Sequence, residues 1–257
     1  MSPDDTAPVL SLRHGATTDP GRVRAGNEDA LLVDPELGLY VVADGLGGHR
    51  AGEVASQLAV ERIHEWVRRR PPAHEAPDQV LARALLEAHD GVRKAAVDRP
   101  ELAGMGTTAV IAWIPTADRM WLASVGDSRA YRYRDGALER LTDDDTALEQ
   151  LRRAGALPED PAEWPPRQEL TQALGPSSFV SPHLSDHEFR SGDRILLCSD
   201  GLTDMLSDPE IRYLLSSESE PQQVCDALVD AANLHGGLDN ITVALIEAMP
   251  ARSGEAS

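Results

Sequence analysis

The segment Gly38-Leu39-Tyr40-Val41-Val42-Ala43-Asp44-Gly45-Leu46-Gly47-Gly48 runs from an apolar stretch into a glycine-rich loop. Five apolar residues in a row between turn signals mark a buried strand. A helix follows it, with Val54, Leu58, Ile63 and Val67 at roughly helical spacing. Arg68-Arg69-Arg70 suit the negative end of its dipole, and Pro71-Pro72 end it. A second helix is predicted from Pro77 to Val97, with Val80, Leu81, Ala84, Leu85, Ala88 and Val92 as its apolar stripe.

Beyond that helix the pattern changes to β. Thr107–Ile114 and Met120–Val125 read as strands, and Ala130–Arg134 and Ala137–Leu141 flank the hairpin dipeptide Asp135-Gly136. A charged, Pro-rich excursion over about 143–168 carries one short helix near Ala147–Arg153. Arg194–Cys198 is another buried strand. Two helices follow, one opening at Ser207-Asp208-Pro209-Glu210 and one spanning Pro221–His235, and Asn240–Glu247 is a last strand. Helices, antiparallel strands, then strands and helices again predict an α+β layered fold rather than parallel βαβ alternation.

Composition narrows the function. The 257 residues carry 24 Lys+Arg against 43 Asp+Glu, a formal net charge of −19, which disfavours nucleic acid and anionic membranes as partners. Hydrophobic residues make up 41% and aromatics 4%, so the core is built from small aliphatics. Two cysteines, Cys198 and Cys225, are too few for a disulfide framework. The N-terminus lacks a signal peptide's basic start and apolar run, and no stretch of about 18 apolar residues exists to span a membrane. These features predict a cytoplasmic protein. No linker divides the chain: one domain is expected over 12–248, with a disordered N-terminus (1–11) and a C-terminal tail (249–257).

The informative pattern is the placement of aspartates. Asp44, Asp127 and Asp200 each end an apolar strand, and Asp239 precedes one. Carboxylates gathered at one sheet edge repel each other, and an oxygen-only set without His or Cys suits Mg²⁺ or Mn²⁺. A single Asp-Gly after a strand is usually a turn, and Asp135-Gly136 is read as one. His64, His74 and His89 fall at structural or solvated positions; His49, after the glycine-rich loop, is a candidate site neighbour. Other chemistries find no support. Cys198 lacks the Arg six residues on that a cysteine phosphatase loop carries, and no zinc helix, serine elbow or P-loop ending is present.

At these residues the sequence resembles the metal-dependent Ser/Thr protein phosphatases of the protein phosphatase 2C (PPM) type, its bacterial branch in particular. The matching segments are Arg24–Asp29, Val42–His49 with Ala51–Ser56, Gly104–Thr108, Val125–Arg129, Leu141–Asp144, Leu174-Gly175, Leu197–Leu202 and Asp239–Val243, in the family's order. The resemblance implies a four-layer α-β-β-α sandwich, two antiparallel sheets between helices. It implies Asp44 as the carboxylate bridging two Mn²⁺ or Mg²⁺ ions, with the Gly45 carbonyl on one of them and Asp200 and Asp239 on the second. Asp127, with Asp200, would hold a third ion, and Glu28 and Asp29 would act through metal-bound waters. Arg24 would hold the substrate phosphate. The implied reaction is hydrolysis of phosphoserine and phosphothreonine on proteins by a metal-activated water, in line and without a phosphoenzyme.

The excursion departs from bacterial relatives, which often carry His-Pro then Arg-Asn before Leu-Gly, where this chain has Trp164-Pro165-Pro166-Arg167-Gln168. The segment resembles the mobile flap beside the site in that family. The chain is expected to be a monomer, free-standing or truncated after its catalytic domain, acting against a bacterial Ser/Thr kinase and its targets. Competing readings are a non-catalytic scaffold that binds phosphoproteins, a partner-switching phosphatase acting on an anti-sigma-factor antagonist, and a metal-dependent nuclease.

Overall fold

The computed structural model describes residues 10–47, 50–69, 76–116, 118–166 and 169–250. Ten strands form two five-stranded antiparallel sheets. The first has the order β1 (Leu10–Asp19), β12 (Ile241–Pro250), β11 (Arg194–Cys198), β8 (Arg129–Arg134), β9 (Ala137–Arg140). The second has the order β10 (His183–Glu188), β7 (Arg119–Val125), β6 (Ala109–Thr116), β3 (Leu39–Ala43), β2 (Ala30–Asp34). A two-stranded ribbon pairs β4 (Gly45–Leu46) with β5 (Gly106–Thr107).

Strand alternation builds the layers. On β3, Leu39, Val41 and Ala43 face a core shared with α1 (Arg50–Arg69) and α2 (Pro77–Asp98), while Tyr40 and Val42 face the opposite sheet. On β11, Leu196 and Cys198 face α4 (Asp200–Thr203), α5 (Asp208–Leu215) and α6 (Pro221–Leu234), while Ile195 and Leu197 meet Tyr40 and Val42 between the sheets. The result is a helix–sheet–sheet–helix sandwich, the four layers expected. A central strand must be apolar on both faces here, which explains the unbroken run at 39–43. α3 (Ala147–Arg153) lies outside the layers.

The hairpin expected at Asp135-Gly136 forms, with φ of 51° and 79° at its two corners. The span Thr107–Ile114 is not one strand: it breaks at Thr108, between β5 and β6. Asp200 does not merely end a strand; it opens a four-residue helical turn, α4. The expected disordered N-terminus over 1–11 is corrected at its end, since Leu10 and Ser11 pair with Pro250 and Met249. The same pairing draws 249 and 250 out of the expected tail. The rest of both ends, and Gly48, His49 and His74, lie outside the described residues. His64 pairs with Asp34 at 2.8 Å, and buried His89 accepts from the Gly175 N–H at 3.1 Å, so both are structural. Among the described residues no helix is long and apolar enough to cross a membrane.

Candidate metal and phosphate site

The site is assembled from strand ends of both sheets. Asp44 follows β3, and its backbone is fixed on both sides. Its N–H donates to Thr108 Oγ1 at 3.0 Å, and its carbonyl accepts from Thr108 N–H at 2.9 Å and Thr107 Oγ1 at 2.8 Å. The break at Thr108 therefore has a function: it turns a strand end into a socket for Asp44. Thr108 Oγ1 also lies 2.7 Å from Ser128 Oγ, which ties this corner to the one carrying Asp127. Gly45 admits no side chain, because a Cβ there would collide with the carbonyl oxygens of Gly52 and Glu28.

Asp29 and Asp127 are buried, and Asp200 opens α4 beside them. Ser199 Oγ donates to Asp29 Oδ2 at 2.8 Å and itself accepts from Thr242 N–H at 3.0 Å. Asp29 Oδ1 and Asp200 Oδ1 are buried without a hydrogen-bond partner. Asp44 and Asp200 lie near enough that each acts on the other's ionisation. Asp127 and Asp200 line one small pocket together with Arg129, Thr203, Asp204 and five residues of the 143–168 excursion, among them Asp144 and, from α3, Leu148 and Arg152.

The electrostatics of this cluster are adverse. Burial pushes Asp29 up to about 7, and repulsion from Asp200 and Asp239 adds to it, while the Ser199 and Thr242 hydroxyls partly offset the rise. Burial pushes Asp127 to about 8, helped by Asp200 and Asp144. Asp200 rises to about 6 through burial and then Asp204 and Asp239, with Arg24 acting in the opposite sense. Asp44 is raised well above the carboxylate range by burial and then by Asp29, Asp200 and Asp127. Four carboxylates that oppose each other's ionisation form a site that stabilises positive charge.

Arg24 Nη2 reaches Asp239 Oδ2 at 2.5 Å, and Asp239 Oδ1 accepts from the Asn240 N–H at 2.8 Å. The loop carrying Arg24 is clamped by buried Asn240. Its Nδ2 donates to the carbonyls of Pro20 (2.9 Å) and Gly26 (2.8 Å), and its Oδ1 accepts from Glu28 N–H at 2.8 Å. The sequence marked Asn240 only as part of a motif; the contacts span more than 200 positions, and no local signal reveals them. Asn240→Ala should cost roughly 2–4 kcal/mol of stability, since it removes three buried hydrogen bonds and orphans their partners. Urea unfolding of the metal-free protein measures it; a loss below about 1 kcal/mol would show that the clamp carries little.

The structure thus places Asp29, Asp127 and Asp200 within electrostatic reach of Asp44, Asp239 within reach of Asp29 and Asp200 and hydrogen-bonded by Arg24, and Glu28 against Gly52 beside Gly45. Among the described residues no three acidic or imidazole side chains are already gathered as a chelating set. The donor set nevertheless fits hard divalent cations. It is oxygen-only, mutually repelling, and leaves two buried carboxylate oxygens without donors.

A family model for protein phosphatase 2C matches residues 22–233. The serine/threonine protein phosphatase PstP of Mycobacterium tuberculosis is 38% identical over 246 residues, which cover 93% of this chain but 45% of PstP. The serine/threonine phosphatase stp of Listeria monocytogenes is 36% identical over 238 residues, 90% of this chain and 93% of that one. The solved catalytic domain of PstP in complex with two manganese ions matches with a TM-score of 0.83 at 36% identity, covering 93% of this chain and 99% of that one. Stp1 of Staphylococcus aureus matches with a TM-score of 0.85 at 30% identity, covering 96% and 99%. The chain belongs to the protein phosphatase 2C family, and it spans about half the length of the mycobacterial relative.

Proposed function

We propose that the chain is a metal-dependent protein-serine/threonine phosphatase. It removes phosphate from phosphoserine and phosphothreonine on proteins in a bacterial cytoplasm, as a monomer opposing a Ser/Thr kinase. The observation that carries this reading is the convergence of buried Asp29 and Asp127 with half-buried Asp44 and Asp200 beside the Arg24–Asp239 pair. Asp44 and the Gly45 carbonyl, with Asp200 and Asp239, are the residues that would hold two Mn²⁺ or Mg²⁺ ions. Asp127 with Asp200 would hold a third, and Glu28 and Asp29 would act through water. Such ions supply charge neutralisation, Lewis acidity and an acidified water.

The chain's own groups do the rest. Arg24 offers a planar, always-charged fork to the phosphate, and its bond to Asp239 orients that fork while leaving other N–H groups free for phosphate oxygens. Ser199 holds Asp29 in one orientation. Direct hydrolysis, with no covalent phosphoenzyme, is supported by the cysteines: burial pushes the Cys198 and Cys225 thiols up to about 12, so neither is a thiolate nucleophile near neutral pH. Residues 143–168 form the flap of the domain, with α3 beside Asp127 and Asp200.

Hydrolysis of a phosphothreonine peptide should require added Mn²⁺, stop with EDTA and return with excess Mn²⁺. Activity indifferent to EDTA would sink the metal-dependent reading. Weak or absent Mn²⁺ uptake by calorimetry would favour a phosphoprotein-binding scaffold instead, and tight uptake together with turnover would remove that reading.

A further inference from the structure

We propose that an apolar track, running from the Arg24–Asp239 pair to the groove between α5 and α6, receives the polypeptide flanking the phosphorylated residue. It favours substrates with a large apolar side chain at a fixed distance from that residue; the inference rests on the phosphatase reading above. Leu238, bonded to Asp239, is 58% exposed, and Val23, bonded to Arg24, is 64% exposed. The loops that carry them are joined by the Arg22 N–H bond to the Gly237 carbonyl at 2.7 Å. Both apolar residues therefore flank the one contact that positions the phosphate ligand.

The track continues away from the site. A Cβ added at Gly236 would lie 3.9 Å from both the Leu238 side chain and Met205 Sδ, so these two side chains border the same spot. His235 Nδ1 lies 2.9 Å from the Met205 carbonyl and faces Glu210 at 3.8 Å. His235 also lines a cavity of about 310 Å³ between α5 and α6, with Leu206, Pro209, Tyr213, Leu214 and Ala231 on its walls. Tyr213 is 77% exposed at its edge and Leu234 is 86% exposed nearby.

Distance makes the substrate the occupant. Four peptide units separate His235 from Asp239, so their backbones are at most about 14 Å apart. About four extended residues of a bound peptide cover that span. A polypeptide with its phosphate on Arg24 can leave the site over this rim, where the exposed Leu238 and Val23 side chains lie between the Arg24–Asp239 pair and the α5–α6 cavity. Scattered surface leucines need no explanation, but here the exposed residues are continuous with the site on one side and the cavity on the other.

The test is a set of thirteen-residue peptides of Ser and Gly with a central phosphothreonine, in which one Leu is moved through the six positions on either side. With the Mn²⁺-loaded wild type, kcat/KM should rise about tenfold at one or two positions three to six residues from the phosphothreonine, the size typical of one apolar contact. The maximum should disappear in Leu238→Ser with Tyr213→Ser and persist in Leu238→Met. A flat profile, or a maximum that survives the double substitution, overturns the track while leaving the phosphatase reading standing. No turnover of any peptide overturns the phosphatase reading and the track with it.

Discussion

Asp44→Asn is expected to lower kcat/KM toward a phosphothreonine peptide by on the order of 10³-fold or more, and at the same time to raise the melting temperature of the metal-free protein. The activity loss follows because Asp44 stands where the carboxylates of both sheets meet and would hold both ions; removing one electrostatic contributor to a transition state typically costs on the order of 10²–10³. The stability gain has the same origin with opposite sign. Asp44 is raised far above the carboxylate range by burial and by Asp29, Asp200 and Asp127. An amide carries no charge and removes the repulsion that Asp44 exchanges with Asp29, Asp200 and Asp127. A gain of about 1–2 kcal/mol corresponds to roughly 3–6 °C in a domain of this size.

The pH dependence of that gain fixes its cause. A carboxyl group whose folded pKa lies above its unfolded value costs nothing below the unfolded value, near 3.8, and destabilises increasingly as pH rises toward the folded one. Asp200 at about 6, Asp29 at about 7 and Asp127 at about 8 set the window. In EDTA, the wild type should lose on the order of 5–10 °C between pH 6 and pH 8. Asp44→Asn should lose less, and Mn²⁺ should flatten the curve of the wild type only. Calorimetric scans at several pH values measure all three; a metal-free wild type indifferent to pH would refute the electrostatic account.

The second large effect belongs to Arg24. Arg24→Ala should reduce kcat/KM by on the order of 10²–10³, the cost of removing one charged contact to a developing phosphoryl charge. Arg24→Lys should recover at most about tenfold of that loss, because a point charge cannot offer two parallel N–H groups to phosphate and Asp239 together. A loss of less than about fivefold in the alanine variant would remove Arg24 from phosphate binding.

The parts of this architecture legible in the sequence are those where periodicity and burial agree. β3 and β11 are apolar on both faces because each lies between helices and the other sheet, and α1, α2 and α6 carry clear stripes. β1, β2 and β10 escaped, and all three are edge strands. β1 mixes Leu10, Leu12 and Ala16 with polar residues over ten positions of which one is buried, and β10 exposes every second side chain. α4 is too short for any periodic signal. In the site, Asp44, Asp127, Asp200 and Asp239 could be singled out because strand ends can be read locally. The Thr108 socket, the Ser199 bond to Asp29 and the Asn240 clamp depend on contacts between residues 20 to more than 200 positions apart.

The carboxylates do not belong to one sheet. Asp44 ends a strand of the second sheet, Asp200 and Asp239 adjoin strands of the first, and Asp127 lies where the chain crosses from β7 to β8. The Thr108–Ser128 contact bridges the same seam. A shear of one sheet past the other by a single residue, about 3.3 Å, would pull the oxygens out of common reach. Whatever fills the centre therefore acts as a rivet through the sandwich, and the register of its two β-layers becomes a condition for holding it.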